Sequence, residues 1–354
     1  MSTGQPAGMA PPSAAAEEET ADLLRQEAAA SRRQAVRRAL TSSPAYMGGV
    51  LIALIVVFSV ISPNAFPQSS NAQNIILDGS TLLVMAVGMT YVMVAGGFDL
   101  SVGSVLVFSN VIAAKVMVAM GTDNALTIVV GLVAALVSGA AWGVFNGFCI
   151  TKLRVPALIT TLGSLGAALG IAEVITKGND VRSVPLTLIN LGSATPLGLS
   201  WIAWVALFVA VVGGLVLHYT RFGRHTYLIG SNADGARRAG INVDRHLIVL
   251  YGLTGLLAGL AGMLALAQFA TTTISGHSTD VITVIEGVVL GGTSLFGGIG
   301  TVIGTVVGIF IPTTLNNGFV IANVQPFWQQ VATGFILIIA VYIDQLKRRS
   351  RERA

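Results

Sequence analysis

The chain has 354 residues, 53% of them hydrophobic and only 10% charged, against about 25% charged in a soluble domain. With a mean hydropathy of +0.78, this composition excludes an ordinary soluble enzyme and places the chain in the membrane class. The net charge of +4 comes with no basic patch interleaved with aromatics outside the apolar runs, which excludes nucleic-acid binding.

Residues 1–21, "MSTGQPAGMAPPSAAAEEETA", are polar, Pro/Ala-rich and acidic. They lack the apolar core of a secretory signal and read as a disordered cytoplasmic tail. Residues 22–40 are rich in helix formers and carry Arg32, Arg33, Arg37 and Arg38. They fit a basic helix lying on an anionic leaflet and equally a solvated charged helix. The transmembrane region covers 41–346. A helical span needs roughly 20 mostly apolar residues, and ten runs are candidates: 46–62, 80–96, 103–120, 124–150, 155–176, 200–219, 247–269, 280–292, 300–317 and 326–344. The eighth is short enough to be tilted or broken. Residues 347–354 form a basic tail. The expected fold is an all-α polytopic membrane protein of about ten transmembrane helices, some broken or re-entrant.

Lys and Arg set the orientation. With the N-terminus in the cytoplasm and ten alternating spans, 17 of the 20 basic residues fall on the cytoplasmic side. Lys177 and Arg182 lie outside, and Lys115 lies in a span. Both termini are then cytoplasmic.

The stretch "AGGFDLSVGS" at 95–104 interrupts two such spans. Gly96 and Gly97 let one helix end without a Cβ penalty. Asp99 is read as the N-cap of the next helix, accepting the N–H groups two and three residues on, with Ser101 and Gly103 behind it. "GGTSLFGG" at 291–298, beginning with Gly291 and Gly292, repeats the pattern Gly-Gly-x-polar-Leu-x-x-Gly. Transporters place discontinuous helices at corresponding positions along the path. Polar and aromatic groups in spans tend to face a cavity or the bundle interior, so Asn110, Trp142, Asn146, Gln268, Phe269 and Glu286 are path-lining candidates. Each also fits plain interhelical hydrogen bonding or packing.

No G-x-x-x-x-G-K-[ST], H-E-x-x-H, C-x-x-C or G-x-S-x-G occurs, so no catalytic residue, cofactor or metal is expected. The carboxylates in or bordering spans are Asp99, Glu173 and Glu286, a thin set for an ion-coupled carrier. Cys149 lies in an apolar run as core filler. The longest cytoplasmic segment between spans, 220–246, contains "SNADGARRAG". Capping residues Ser231 and Asn232 open it and Gly240 closes it, which reads as a short surface helix. Gly230, Asn232, Ala236, Arg237, Arg238 and Gly240 form a candidate docking knob for a soluble partner, or simply a solvated connector.

From about residue 62 to 312 the chain resembles the permease subunits of bacterial ABC importers for monosaccharides of the ribose, galactose, xylose and arabinose type. The similar segments, in order, are "SPNAFPQSSNAQNIILDGS", "VAGGFDLSVGSV", "GVFNGFCITKLRVPALITTLGSL", "GRHTYLIGSNADGARRAGINVDR" and "VVLGGTSLFGGIGTVIGT". The resemblance implies a multi-pass protein of the bacterial plasma membrane and a homodimer or heterodimer of permeases. It also implies a cytoplasmic ATPase docking on 220–246 and an extracytoplasmic sugar-binding protein that delivers the substrate. The alternatives are an ion-coupled secondary transporter acting without an ATPase, and a receptor or scaffold.

Overall fold

A computed structural model describes residues 43–277 and 280–352. The tail 1–21, the basic segment 22–40 and the last two residues of the basic tail 347–354 lie outside the described residues. Among the described residues the fold is helical with no strand. The helices are α1 (Ser43–Ile61), α2 (Ser69–Val94), α3 (Val102–Met120), α4 (Ala125–Thr151), α5 (Ala157–Thr176), α6 (Leu186–Ser193), α7 (Trp201–Tyr219), α8 (Arg221–Ser231), α9 (Ala233–Arg238), α10 (Val243–Phe269), α11 (Asp280–Leu290), α12 (Val302–Ile321) and α13 (Pro326–Glu352).

Seven helices, α2, α3, α4, α5, α7, α10 and α12, are long and apolar enough to cross a membrane. Each matches one of the ten expected runs. The eighth run becomes α11, whose 11 residues rise only about 16 Å, half of a ~30 Å hydrocarbon core. The sequence places the start of α2 too late. "SSNAQNIILDGS" is too polar for a hydropathy window, yet helix formation runs through it from Ser69.

Helices α2, α3, α10 and α12 are mostly buried, while α4, α5 and α7 turn most of their surface outward. The outward side chains of α4, α5 and α7 are large and apolar, among them Val133, Val137, Leu162, Phe208 and Val211. Lipid, in which an apolar surface is no cost, is the solvent that fits such faces. The tightest pairing is α4 against α10. A Cβ added at Gly139 would lie 2.2 Å from the Gly255 carbonyl oxygen, and one at Gly259 2.2 Å from that of Ala135. Gly139 and Gly143 on α4 face Gly255 and Gly259 on α10, and Gly147 faces Ile248 one turn further on. Small residues four apart on both partners let the backbones touch, which is how helices associate where lipid removes the hydrophobic driving force.

Two loops are fastened by side chains distant in sequence. Asp123, between α3 and α4, accepts the Thr187 amide at 2.9 Å and the Leu186 amide at 3.1 Å. It caps α6, whose own N-cap position is Pro185 and makes no side-chain cap bond. Those amide hydrogen bonds, Thr187 first, hold the Asp123 carboxyl below the usual carboxylate range. A depressed folded value means the cap contributes above the unfolded value and is lost only as the pH falls through the lowered one. We expect Asp123→Ala to raise hydrogen exchange at residues 186–189 at neutral pH while leaving the transmembrane helices protected. Unchanged exchange there would show that α6 holds without this cap. The second fastening ties the loop after α5 to the one after α10. Thr272 N donates to Val181 O at 3.1 Å, Val181 N donates to Thr272 Oγ1 at 2.8 Å and Ile274 N donates to Asp180 Oδ1 at 3.1 Å.

Candidate functional site

The two glycine motifs are two copies of one helix ending. After α2, Gly96 adopts φ +82°, its N–H donates to Met93 O at 2.9 Å, and Gly97 N–H donates to Val92 O at 2.9 Å. After α11, Gly292 adopts φ +91°, its N–H donates to Val289 O at 2.9 Å, and Thr293 N–H donates to Val288 O at 3.2 Å. This paired reverse bonding is the Schellman ending, which needs a left-handed residue at its centre. The structural correspondence is therefore Gly96 with Gly292, one residue off the register in which the two sequences read alike.

The two endings touch, and a third segment touches both. A Cβ on Gly297 (φ +84°) would lie 2.8 Å from Gly96 Cα and 2.9 Å from Gly230 O. A Cβ on Gly230 would lie 1.8 Å from Val94 O and 2.6 Å from Gly298 N. Gly298 N–H donates to Val94 O at 2.8 Å, joining the first break to the second. Gly230 is the second-last residue of α8, so this helix meets both breaks backbone to backbone. Tyr227 on α8 adds a bond from its hydroxyl to Gly300 O at 2.6 Å.

Within the first break, Asp99 is 1% exposed. Its Oδ1 accepts Ser101 N at 2.9 Å and Ser101 Oγ at 2.5 Å. The residue that immediately precedes α3 is Ser101, with no side-chain cap bond. Asp99 thus closes a turn on the amide two residues on, and the expected second bond, to the amide three on, is not among its hydrogen bonds. The reason is that Leu100 and Ser101 are still in turn conformation, so α3 begins later than a cap at Asp99 would require. The network continues outward. Asn146 Nδ2 on α4 donates to Ser101 Oγ at 2.9 Å, Ser164 Oγ on α5 donates to Asn146 Oδ1, and Tyr251 Oη on α10 donates to Phe98 O at 3.0 Å. Three helices, α4, α5 and α10, are tied to one break by groups that could find no water there.

The path candidates do not converge. Asn146 belongs to this network. Asn110 donates to Gly262 O at 3.0 Å, joining α3 to α10. Trp142 packs on Phe108 with ring centroids 5.2 Å apart. Gln268 donates to Asp78 Oδ1 at 3.0 Å, and Phe269 is 47% exposed at the end of α10. Glu286 on α11 is fully buried, and neither carboxylate oxygen has a hydrogen-bond partner among the described residues. Ser101 and Gly103 lie at the start of α3, Gly103 against the backbone of His277. Gly291 lies at the end of α11, where its backbone meets Gly304. The sequence did not mark Ser164 or Tyr251, whose partners are far away in the chain.

The segment 220–246 holds two helices rather than the one expected. Asn232 separates them, and its Oδ1 accepts Gly235 N at 2.8 Å, capping α9 as its residue type predicts. Ala236 is buried against Ile229 and Val243, which seats α9 on α8 and α10. Arg237 pairs with Asp234 at 2.9 Å, exposed, a bond of a kind worth at most ~1 kcal/mol. Arg238 is exposed, and Gly240 ends the helix at φ +83° with open space around its Cβ position. Beside it lies a hollow of about 410 Å³ whose walls include His225, Asn242 and Arg245.

The described residues are thus a helical bundle in which two matching helix endings meet on one short helix, α8. The profile of the family described as "Branched-chain amino acid transport system / permease component" matches residues 71–341, and the chain belongs to that family. It is 37% identical to the ribose import permease protein RbsC of Escherichia coli (strain K12) over 303 residues, 84% of this chain and 92% of that one. It is 32% identical to the D-allose transport system permease protein AlsC of the same strain, over 84% of this chain and 90% of that one. It is also 32% identical to the L-arabinose ABC transporter permease protein AraH of Azospirillum brasilense, over 86% and 88%. No solved structure matches the chain. The chain is accordingly a multi-pass membrane permease of the ABC-import class, a class that works with an ATPase and a substrate-binding protein.

Proposed function

We propose that this chain forms the translocation path for a neutral monosaccharide or related polyol in the bacterial inner membrane. An extracytoplasmic binding protein delivers the substrate and a separate cytoplasmic ATPase drives the cycle. Two copies, or this chain and a second permease, enclose the path. The membrane region runs from 41 to 346 with both termini cytoplasmic, the orientation that keeps 17 of 20 basic residues inside. The tail 1–21 and the basic segment 22–40 precede it, and the basic tail 347–354 follows. The sugar reading rests on relatives whose names specify ribose, D-allose and L-arabinose.

The observation that carries the mechanism is the contact of α8 with both breaks at Gly230. In this reading, α9 is the knob that the ATPase grips, and α8 is a short lever. Closing of the ATPase pair shifts α8, and the shift reaches both breaks through backbone contact. Those breaks are where backbone polar groups face the path. The test is reconstitution. The chain alone should hydrolyse no ATP. With its ATPase and loaded binding protein, hydrolysis should appear together with uptake. ATPase activity that stays with the chain after contaminants are removed would overturn the reading. Ala236→Trp should wedge α9 off its seat on Ile229 and Val243. We expect that variant to reach the membrane and lose uptake, with loss of co-purifying ATPase locating the defect at docking. Normal uptake would remove α9 from the mechanism.

A further inference from the structure

We propose that the cavity between α3, α5 and the segment after α10 is a subsite for a neutral polyhydroxy ligand, with Glu173 accepting hydrogen bonds from two adjacent hydroxyls. This deepens the sugar-permease reading and rests on it. The cavity has a volume of about 240 Å³, below the ~300–1,000 Å³ of drug-sized sites, so it selects a small compact molecule. None of Asn110, Trp142, Asn146, Gln268, Phe269 and Glu286 lines it.

Its chemistry is one-sided. Glu173 supplies a carboxylate, which is acceptor-only with about four lone-pair sites and suits a vicinal diol. Among the described residues it makes no side-chain ion pair. Ser104 spends its hydroxyl hydrogen on Ser101 O at 2.8 Å, leaving its oxygen to accept. His277 is held by both ring nitrogens, against Thr273 Oγ1 at 2.7 Å and Asp280 Oδ2 at 2.6 Å, and so forms a fixed wall. No Lys or Arg lines the cavity. Such a lining welcomes hydroxyl donors and repels phosphate or carboxylate. Val107, Leu165 and Leu169 also line the cavity and offer apolar surface to the C–H face of a ring.

The walls are fixed in place. The bonds of Thr272 and Ile274 to the loop after α5 anchor one side. On the other, a Cβ on Gly103 would lie 3.1 Å from His277 O. Ser104 also places the cavity one hydrogen bond from Ser101, and hence from Asp99. A ligand hydroxyl donating to Ser104 Oγ would therefore extend the chain of hydrogen bonds that reaches Ser101.

Glu173 is exposed, so its replacement leaves the core intact. The experiment uses the full complex in proteoliposomes, with ribose, D-allose and L-arabinose as radiolabelled probes within a panel of neutral monosaccharides. Uptake and binding-protein-stimulated ATP hydrolysis are read together. Glu173→Leu should cut uptake of the transported sugar about tenfold or more, the loss of a hydrogen bond to a charged group. Glu173→Gln, which keeps one acceptor oxygen, should cut it less, and ATP hydrolysis should persist in both. Leu169→Trp, which fills the cavity, should repeat the loss. Uptake equal to wild type in both Glu173 variants overturns the subsite and leaves the permease reading standing. Loss of ATP hydrolysis in parallel with uptake would assign Glu173 to assembly and overturn it as well. A wild-type complex that imports none of the panel removes the sugar reading, and the subsite with it.

Discussion

Gly230→Ala is expected to abolish ATP-driven uptake. The added methyl would sit 1.8 Å from Val94 O and 2.6 Å from Gly298 N. Both atoms are backbone, and they already bond each other at 2.8 Å, so no side-chain rotamer can make room. Either α8 withdraws from both breaks or the bond between the breaks opens. Overpacking of this kind typically costs about 1–3 kcal/mol, enough to displace a contact without unfolding a bundle. We therefore expect an assembled complex with basal ATP hydrolysis that no longer responds to loaded binding protein. Gly214→Ala is the matched control, because its methyl would meet Val302 Cβ at 3.6 Å, an ordinary contact. Full uptake by Gly230→Ala would take the three-way contact out of the transmission route.

Asp99→Leu is expected to be the most damaging single change in the first break. It leaves the Ser101 N–H and hydroxyl without their acceptor in a site that is 1% exposed. Each buried donor left unpaired costs about 1–3 kcal/mol, and the hydroxyl also organises Asn146 and, through it, Ser164. Little assembled complex should be recovered after extraction. Asp99→Asn retains an oxygen where Oδ1 accepts and should assemble and transport close to normally. The informative contrary result is an Asn variant that assembles, keeps its ATPase and fails to transport. The charge itself would then act in the path.

How much of this was legible in the sequence depends on how local the cause is. Seven spans were visible because a run of apolar residues needs no knowledge of its neighbours. Asn232 was visible as a cap because its acceptor serves an amide three residues on. α8 was not, since "RFGRHTYLIGS" is only 11 residues long and its buried face, Gly223, Thr226 and Ile229, holds a single large apolar side chain. The register of the paired glycine motifs was misread because identity aligned Gly96 with Gly291, whereas left-handed φ pairs Gly96 with Gly292. Asn146 was singled out as path-lining, but its partners, Ser101 and Ser164, lie 45 and 18 residues away, a distance no local pattern spans. Glu173 was noted as a carboxylate in or bordering a span, yet the cavity beside it is assembled from α3, α5, α11 and the segment after α10, which only the fold brings together.

At Gly230 the contact of α8 with the breaks is main chain against main chain, so its geometry there does not depend on the surrounding side chains, and Tyr227 adds one side-chain bond beside it. At Gly230 itself there is no side chain to exchange, so that contact can be kept or jammed but not retuned. Variation is thereby channelled elsewhere. With α9 as the proposed grip for the ATPase and the cavity beside Glu173 as the proposed cargo subsite, either surface can change without touching that contact.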